Sequence, residues 1–251
     1  MNRRARSAAI SDDRDDRVAP PRRLVVIDAL RGVAIVAMIT YHFCFDLRYF
    51  GVLNADFEHG LFWLTARSLI LSSFLLLAGI SLALAVRADS SLAKFWRHIG
   101  IIAMCAIAVS AGSYALFPKT FIWFGVLHAI AVSLALARPL VARPALALAL
   151  GVAVIVAGVA FAHPSFDRLR FAWIGFMTVK PATEDYVPLF PWTGVLLLGV
   201  ALAHRLGIDD RGIIVAAPRW GWLPFLGRHS LAAYMLHQPL LIAVLWIALR
   251  T

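Results

Sequence analysis

The sequence predicts an all-α protein embedded in a membrane, a polytopic bundle of about seven transmembrane helices. Of its 251 residues, 61% are hydrophobic and 15% are charged, and the mean hydropathy is +0.80. Soluble domains are about 45–50% apolar and about 25% charged, so this chain has too few polar side chains to cover a water-soluble particle. No ten-residue alternating pattern indicates a transmembrane barrel, which leaves helices as the membrane-spanning elements.

A polar segment, residues 1–23, opens the chain. It contains seven arginines, four aspartates and two prolines. No apolar core of a signal peptide follows these basic residues at the usual spacing. We therefore expect a disordered basic cytoplasmic tail, followed by a single transmembrane domain over residues 24–251.

Seven apolar stretches follow the tail, and each predicts one membrane helix because a helix needs about 20 mainly apolar residues to cross a bilayer. The fourth is short, and only three residues separate it from the third, so we expect these two to form a tight antiparallel hairpin. The fifth is typical of a lipid-facing scaffold, and the seventh is the least cleanly apolar. The stretches are 24–45, 61–86, 99–117, 121–137, 144–162, 187–206 and 225–249.

The distribution of Lys and Arg predicts the orientation of the helices. The tail and the loops at 87–98, 138–143 and 204–230 carry 16 of these residues, whereas the connections on the opposite side carry six. By the positive-inside rule the N-terminus is cytoplasmic and the C-terminus is outside. The net charge of +10 does not indicate nucleic acid, since the basic residues form no stripe interleaved with aromatics. A lipid bilayer is the expected partner, and homo-oligomerisation stays open.

Ionisable side chains recur inside the apolar stretches, where each costs about 2.5–3.5 kcal/mol on insertion scales. Arg67 lies about two turns into the second stretch, too deep to reach the surface cheaply, so we expect it to face the bundle interior. A single intramembrane histidine more often forms an interhelical hydrogen bond than acts in catalysis, so the functional argument depends on the whole set. On the predicted topology a polar cavity is lined by His42, His59, Arg67, His128, Trp192 and His237.

Imidazole suits this cavity to general-base chemistry near neutral pH. Metal binding is not predicted, because no His-x-x-x-His or Cys-x-x-Cys pair is present at ligand spacing. Asp28 and Arg31, three residues apart at the start of the first helix, are spaced to form an ion pair. That pair is equally compatible with a structural and a functional role.

Five sequence segments, taken in order, resemble the family of membrane acyltransferases that contains heparan-α-glucosaminide N-acetyltransferase and its small bacterial relatives. Together they extend over about residues 24–245. The segments are Ile-Asp-Ala-Leu-Arg-Gly at 27–32, Gly-Val-Leu-His at 125–128, Val-Pro-Leu-Phe-Pro-Trp-Thr-Gly at 187–194, Leu-Gly-Arg-His-Ser-Leu at 226–231 and Tyr-Met-Leu-His-Gln-Pro at 234–239.

The resemblance implies an acyltransferase in the bacterial inner membrane that moves an acetyl group from acetyl-CoA to an amine or hydroxyl of a sugar-like acceptor. It places the essential histidine of the first outer loop at His59, which we assign as general base, with His42 as a second acid/base. A covalent acyl-histidine stays open as the alternative. The donor is expected at Asp28, Arg31 and Arg67. The acceptor is expected at His128, Trp192, His237 and Gln238.

Several features depart from the lysosomal enzymes of the family, so the acceptor does not follow from the resemblance. Ser68 and the segment 71–73 stand where those enzymes have an acidic residue and an aromatic-Pro-Trp stretch, and the seven apparent spans are fewer than theirs. His42 stands where the lysosomal enzymes have a polar amide, and Arg67 stands where they have a small residue. The main alternative is a transporter or flippase whose buried histidines bind substrate or relay protons, although no inverted repeat is detectable. A scaffold protein whose polar residues only join helices is the third alternative.

Overall fold

The computed structural model describes residues 25–183, 185–207 and 221–249, and within these ranges it contains helices and no strand. The predicted tail lies outside the described residues, so its disorder and the extent of the membrane domain stay predictions. The helices are α1 (Val25–Tyr49), α2 (Leu61–Arg87), α3 (Leu92–Leu116), α4 (Val126–Ala137), α5 (Pro144–Ala160), α6 (Leu189–Arg205), α7 (Trp222–Arg228) and α8 (Ser230–Ala248).

The helical class is confirmed, whereas the count of seven spans is not. Four helices, α1, α2, α3 and α8, are long and apolar enough to cross a membrane. The apolar helices α4, α5 and α6 are shorter than the roughly 20 residues that a full crossing requires. The chain is therefore a multi-pass membrane protein, and seven crossings stay a prediction.

Several helix boundaries differ from those expected. α1 continues to Tyr49 and does not end near residue 45, and the last apolar stretch, expected as one helix over 225–249, is divided into α7 and α8. α3 begins at Leu92 and not near residue 99, and the Ser91 hydroxyl caps it by accepting the Lys94 N–H at 3.3 Å. α4 begins at Val126 and not near residue 121, after Gly125 in an extended conformation. The connection between α3 and α4 is therefore longer than the tight turn that the sequence predicts.

Helices α2 and α6 form the centre of the bundle. Leu75 on α2 and Leu196 on α6 are fully buried. A Cβ atom added to Gly79 would lie 2.1 Å from the Leu196 carbonyl oxygen, and one added to Gly199 would lie 2.3 Å from that of Leu76. Only glycine permits so close a backbone contact, as is common between membrane helices.

Helices α1 and α7 cross just as closely, at one end of the bundle. A Cβ atom on Gly32 would lie 2.2 Å from the Leu223 carbonyl oxygen, and one on Gly227 would lie 1.7 Å from that of Asp28. We call this end the Asp28 end. The opposite end, where residues 50–60 join α1 to α2, is called the His59 end.

Candidate functional site

Helices α1 and α8 bring two histidines together inside the bundle. The ring centroids of His42 and His237 lie 5.0 Å apart, and His237 is 8% exposed. Nδ1 of His237 lies 2.6 Å from the Tyr234 carbonyl oxygen, which can only accept, so Nδ1 carries the proton and Nε2 the lone pair of the neutral ring. Within the described residues this buried Nε2 has no hydrogen-bond partner. It is free to accept a proton or a hydrogen bond from a bound molecule.

A second polar pair lies beside the histidines. The Gln238 side-chain amide donates to Asp46 Oδ1 at 2.7 Å, and Asp46 is 3% exposed. The other Gln238 atom, Oε1, is buried and has no partner in the part of the chain that the structure describes. A carbonyl oxygen and an imidazole nitrogen, adjacent along α8, therefore both stay available as acceptors.

Asp185, in the segment before α6, extends this polar region towards the His59 end. Its Oδ2 atom accepts the Val126 N–H at 2.9 Å, at the first residue of α4, and the Tyr234 hydroxyl at 3.4 Å. The Tyr234 ring centroid in turn lies 5.5 Å from that of His237. The carboxylate thus joins α4 and α8 to the segment before α6, and the sequence did not predict it as a site residue.

Arg67 on α2 completes the arrangement. Its positive charge interacts with both Asp185 and Tyr41. Tyr41 immediately precedes His42 and contacts Trp63, one turn before Arg67, at a centroid distance of 5.8 Å. We call this set of side chains the polar ring. Its members are Tyr41, His42, Arg67, Asp185, Tyr234 and His237. The members other than Arg67 are joined by ring contacts and hydrogen bonds, whereas the charge of Arg67 acts on Asp185 and Tyr41 over a longer range.

The stability of the protein should depend on pH through Asp185. Burial raises the pKa of this carboxyl above its ordinary value, and the Val126 N–H only partly opposes the shift. Because the folded state then holds the proton more tightly than the unfolded chain, the stabilisation is present at low pH and is lost as the pH rises through the raised pKa. Thermal unfolding in detergent from pH 4 upwards should show this decline in the natural protein. An Asp185→Asn protein should lack it, and parallel pH profiles of the two proteins would contradict the assignment.

His59 does not belong to the polar ring. Its side chain is 83% exposed, and Nδ1 lies 3.5 Å from Asp56 Oδ1. Phe57, two residues earlier, stacks on Trp63 at 4.0 Å and contacts Tyr41 at 5.5 Å. The connection at residues 50–60 therefore packs against Tyr41, at one edge of the polar ring. Within the described residues, no contact joins the His59 imidazole to a member of the polar ring.

His128 and Trp192 also lie apart from the histidine pair. Both ring nitrogens of His128 are engaged: Nδ1 accepts the Gly125 N–H at 3.3 Å, and Nε2 lies 3.4 Å from the Ser110 hydroxyl. Trp192 is partly buried against the hydrophobic core in the first turn of α6. The structure thus gives His128 a capping role, and acceptor binding by these two residues stays a prediction.

Asp28 and Arg31 form a network at the opposite end of the bundle. Asp28 Oδ1 accepts from Arg31 at 3.3 Å, and Oδ2 accepts from Nε of Arg228 at 3.2 Å. Arg31 also donates to the Ser81 hydroxyl at 2.7 Å and contacts the Gly227 carbonyl at 3.5 Å. The ion pair that the sequence predicts is present, and it ties α1 to α2 and α7.

An open groove of about 400 Å³ lies beside this network, at the start of α8. It is lined by the exposed residues Arg228 and His229 and by the side chains of Cys105, Leu231, Ala232 and Met235. Positive charge beside apolar side chains is compatible with a ligand that has an anionic head.

Comparison with known proteins gives one clear match. No curated protein and no solved structure matches the chain significantly. The family model described as heparan-alpha-glucosaminide N-acetyltransferase, catalytic, matches residues 23–239, which covers most of the chain and includes every member of the polar ring. This confirms the resemblance drawn from the five sequence segments: the chain belongs to the heparan-alpha-glucosaminide N-acetyltransferase catalytic family.

Proposed function

We propose that the protein is a membrane acyltransferase that moves an acetyl group from acetyl-CoA to an amine or hydroxyl of a sugar-like acceptor. Family membership supports a transferase. The single observation that carries the proposal is the buried Nε2 of His237, which lies beside His42 in a bundle of apolar helices and has no hydrogen-bond partner among the residues that the structure describes. A free imidazole nitrogen in such a place is costly unless a polar molecule occupies the neighbouring space.

His59 is the proposed general base. Asp56 Oδ1 accepts the backbone N–H groups of Glu58 and His59 at 3.0 and 2.9 Å. The His59 N–H is the main reason that the pKa of Asp56 lies below its ordinary value. The ionised carboxylate faces Nδ1 of His59, which orients the ring and leaves Nε2 as the basic nitrogen. As the acceptor attacks the thioester carbonyl, its proton passes to Nε2, the carbon–sulfur bond breaks and the CoA thiolate leaves.

The other side chains have supporting roles in this proposal. His42 acts as a second acid/base, and His237 and Gln238 hold the acceptor through their free acceptor atoms. Acetyl-CoA is placed at the Asp28 end, in the groove lined by Arg228 and His229, where its phosphates meet positive charge. Asp28 and Arg31 shape that end through their hydrogen bonds. The Asp28 end then faces the cytoplasm of a bacterial inner membrane, and the His59 end faces outward.

Radiolabelled acetyl-CoA tests the reaction directly. Purified protein in proteoliposomes is given the labelled donor and a panel of amino sugars and neutral sugars. We expect transfer of the label to at least one acceptor, together with release of CoA. A transporter or flippase would instead move a sugar across the bilayer without consuming acetyl-CoA, and that result would refute the proposal.

Replacing His237 separates binding from chemistry. A His237→Ala protein should show a KM for the acceptor about 5-fold higher than that of the natural protein, since a typical hydrogen bond contributes about 1 kcal/mol. Its KM for acetyl-CoA should be unchanged. Leu236→Ala, an exposed position on the same helix, is the matched control. Steady-state kinetics with each substrate varied in turn make the measurement, and equal KM values for the acceptor would contradict the role.

A further inference from the structure

The position of Arg67 on α2 places it on the side of the helix that faces α1. Trp63, one turn earlier, contacts Tyr41 of α1, and Leu71, one turn later, is 8% exposed. Residues four apart lie on the same side of a helix, so Arg67 lies on the interior side of α2, next to α1. The sequence predicts a side chain that faces the bundle interior, whereas the structure leaves the Arg67 side chain exposed.

The Arg67 guanidinium keeps its hydrogen-bonding capacity. Among the described residues Arg67 takes part in no hydrogen bond or close ion pair, and its interactions with Asp185 and Tyr41 are longer-range. Both hydrogen bonds of the Asp185 side chain go to Val126 and Tyr234, so this carboxylate is held by other donors. A guanidinium has five N–H donors in a planar fork, and the exposure of the Arg67 side chain leaves them accessible to a bound molecule.

We propose that Arg67 binds an anionic substituent, a carboxylate or a phosphate, of the acceptor. The planar fork of arginine matches both groups with two parallel hydrogen bonds. The identity of the bound molecule as acceptor rests on the proposed function, whereas anion binding at Arg67 does not. Arg67 is then a specificity determinant of this chain.

Geometry favours the acceptor over the donor as the source of the anion. Arg67 lies six residues after the start of α2, about 9 Å along the axis, and His59 immediately precedes that helix. An acceptor held at Arg67 therefore extends towards His59. Ser81, which contacts Arg31 at the proposed donor site, follows Arg67 on α2. At 1.5 Å per residue it lies about 21 Å further along the helix axis than Arg67. The phosphates of acetyl-CoA at that end do not reach Arg67.

Equilibrium binding to the full chain in detergent tests the inference without relying on catalysis. Calorimetric titrations use two matched probe pairs: glucosamine 6-phosphate against glucosamine, and glucuronate against glucose. The natural protein should bind at least one anionic probe about 10-fold or more tightly than its neutral parent, because hydrogen bonds to charged groups are the stronger ones. Arg67→Gln should remove that preference, and Arg67→Lys should keep part of it.

Arg170→Gln is the matched control, because Arg170 is an exposed arginine of the long loop that stacks over Phe171. This variant should retain the full preference. The inference is overturned if neither anionic probe binds more tightly than its parent, or if the preference survives in Arg67→Gln. It is also overturned if Arg67→Gln weakens acetyl-CoA binding and leaves sugar binding unchanged. Thermal midpoints of all variants establish that they fold, and absent acyl transfer alongside a normal binding result would refute only the proposed function.

Discussion

A His59→Ala protein is expected to lose acyl transfer by about 10²- to 10⁴-fold in kcat, the usual contribution of a positioned general base. The expectation rests on the environment of the loop. Asp56 is fixed by two backbone N–H groups and faces Nδ1 of His59, so the basic Nε2 points away from the carboxylate. Because the side chain is 83% exposed, its removal leaves no cavity, and the fold should be unaffected.

The matched control is His163→Ala, a second histidine in a connection between helices. Its Nδ1 accepts the Ser165 N–H at 3.2 Å, and the residue is exposed. This variant should transfer acetyl groups at the rate of the natural protein. Initial rates with labelled acetyl-CoA and a saturating acceptor make the comparison. Full activity in His59→Ala would exclude this residue as the base and direct attention to His42 and His237.

Hydropathy predicted most of the helices, and the differences have local causes. The first turns of α3 contain the polar residues Lys94, Arg97 and His98. The helix therefore begins before its apolar part, and hydropathy alone predicts a loop over these turns. At the other end, the hydroxyls of Ser110 and Ser113 bond to the carbonyl and the N–H of Ile122 at 2.6 and 3.0 Å. These side-chain bonds hold the approach to α4 in a non-helical conformation, and hydropathy cannot register them.

The candidate site was predicted in part for a similar reason. Ionisable residues inside apolar stretches pointed to His42, Arg67 and His237, and the structure places all three in the polar ring. Asp185 was missed because it lies in a polar connection, where a carboxylate is unremarkable in sequence. Its importance comes from tertiary contacts with Val126 and Tyr234. The only sequence signal was Tyr234 itself, three residues before His237 in the last family segment.

An Asp28→Ala protein is expected to lose about 3 kcal/mol in free energy of unfolding, near the lower end of the range for removing one partner of a buried ion pair. Asp28 is 8% exposed and accepts from Arg31 and Arg228. Without it, two positive charges face each other at the crossing of α1 and α7, where Gly227 leaves no space for rearrangement. The value lies near the lower end because the Arg228 side chain is 42% exposed, and water screens its charge.

Chemical unfolding in detergent micelles measures this loss, with Glu58→Ala, an exposed carboxylate in the 50–60 loop, as the control that should retain full stability. Asp28→Asn should lie between the two, since it keeps an oxygen acceptor for the guanidinium groups but loses the charge. The measurement also decides between the two roles that the sequence left open. If Asp28 only binds the donor, its removal leaves the free energy of unfolding unchanged and raises the KM for acetyl-CoA. If Asp28 joins α1 to α7, its removal lowers the free energy of unfolding. Since both oxygens of Asp28 already accept from arginines of the bundle, we expect the second result.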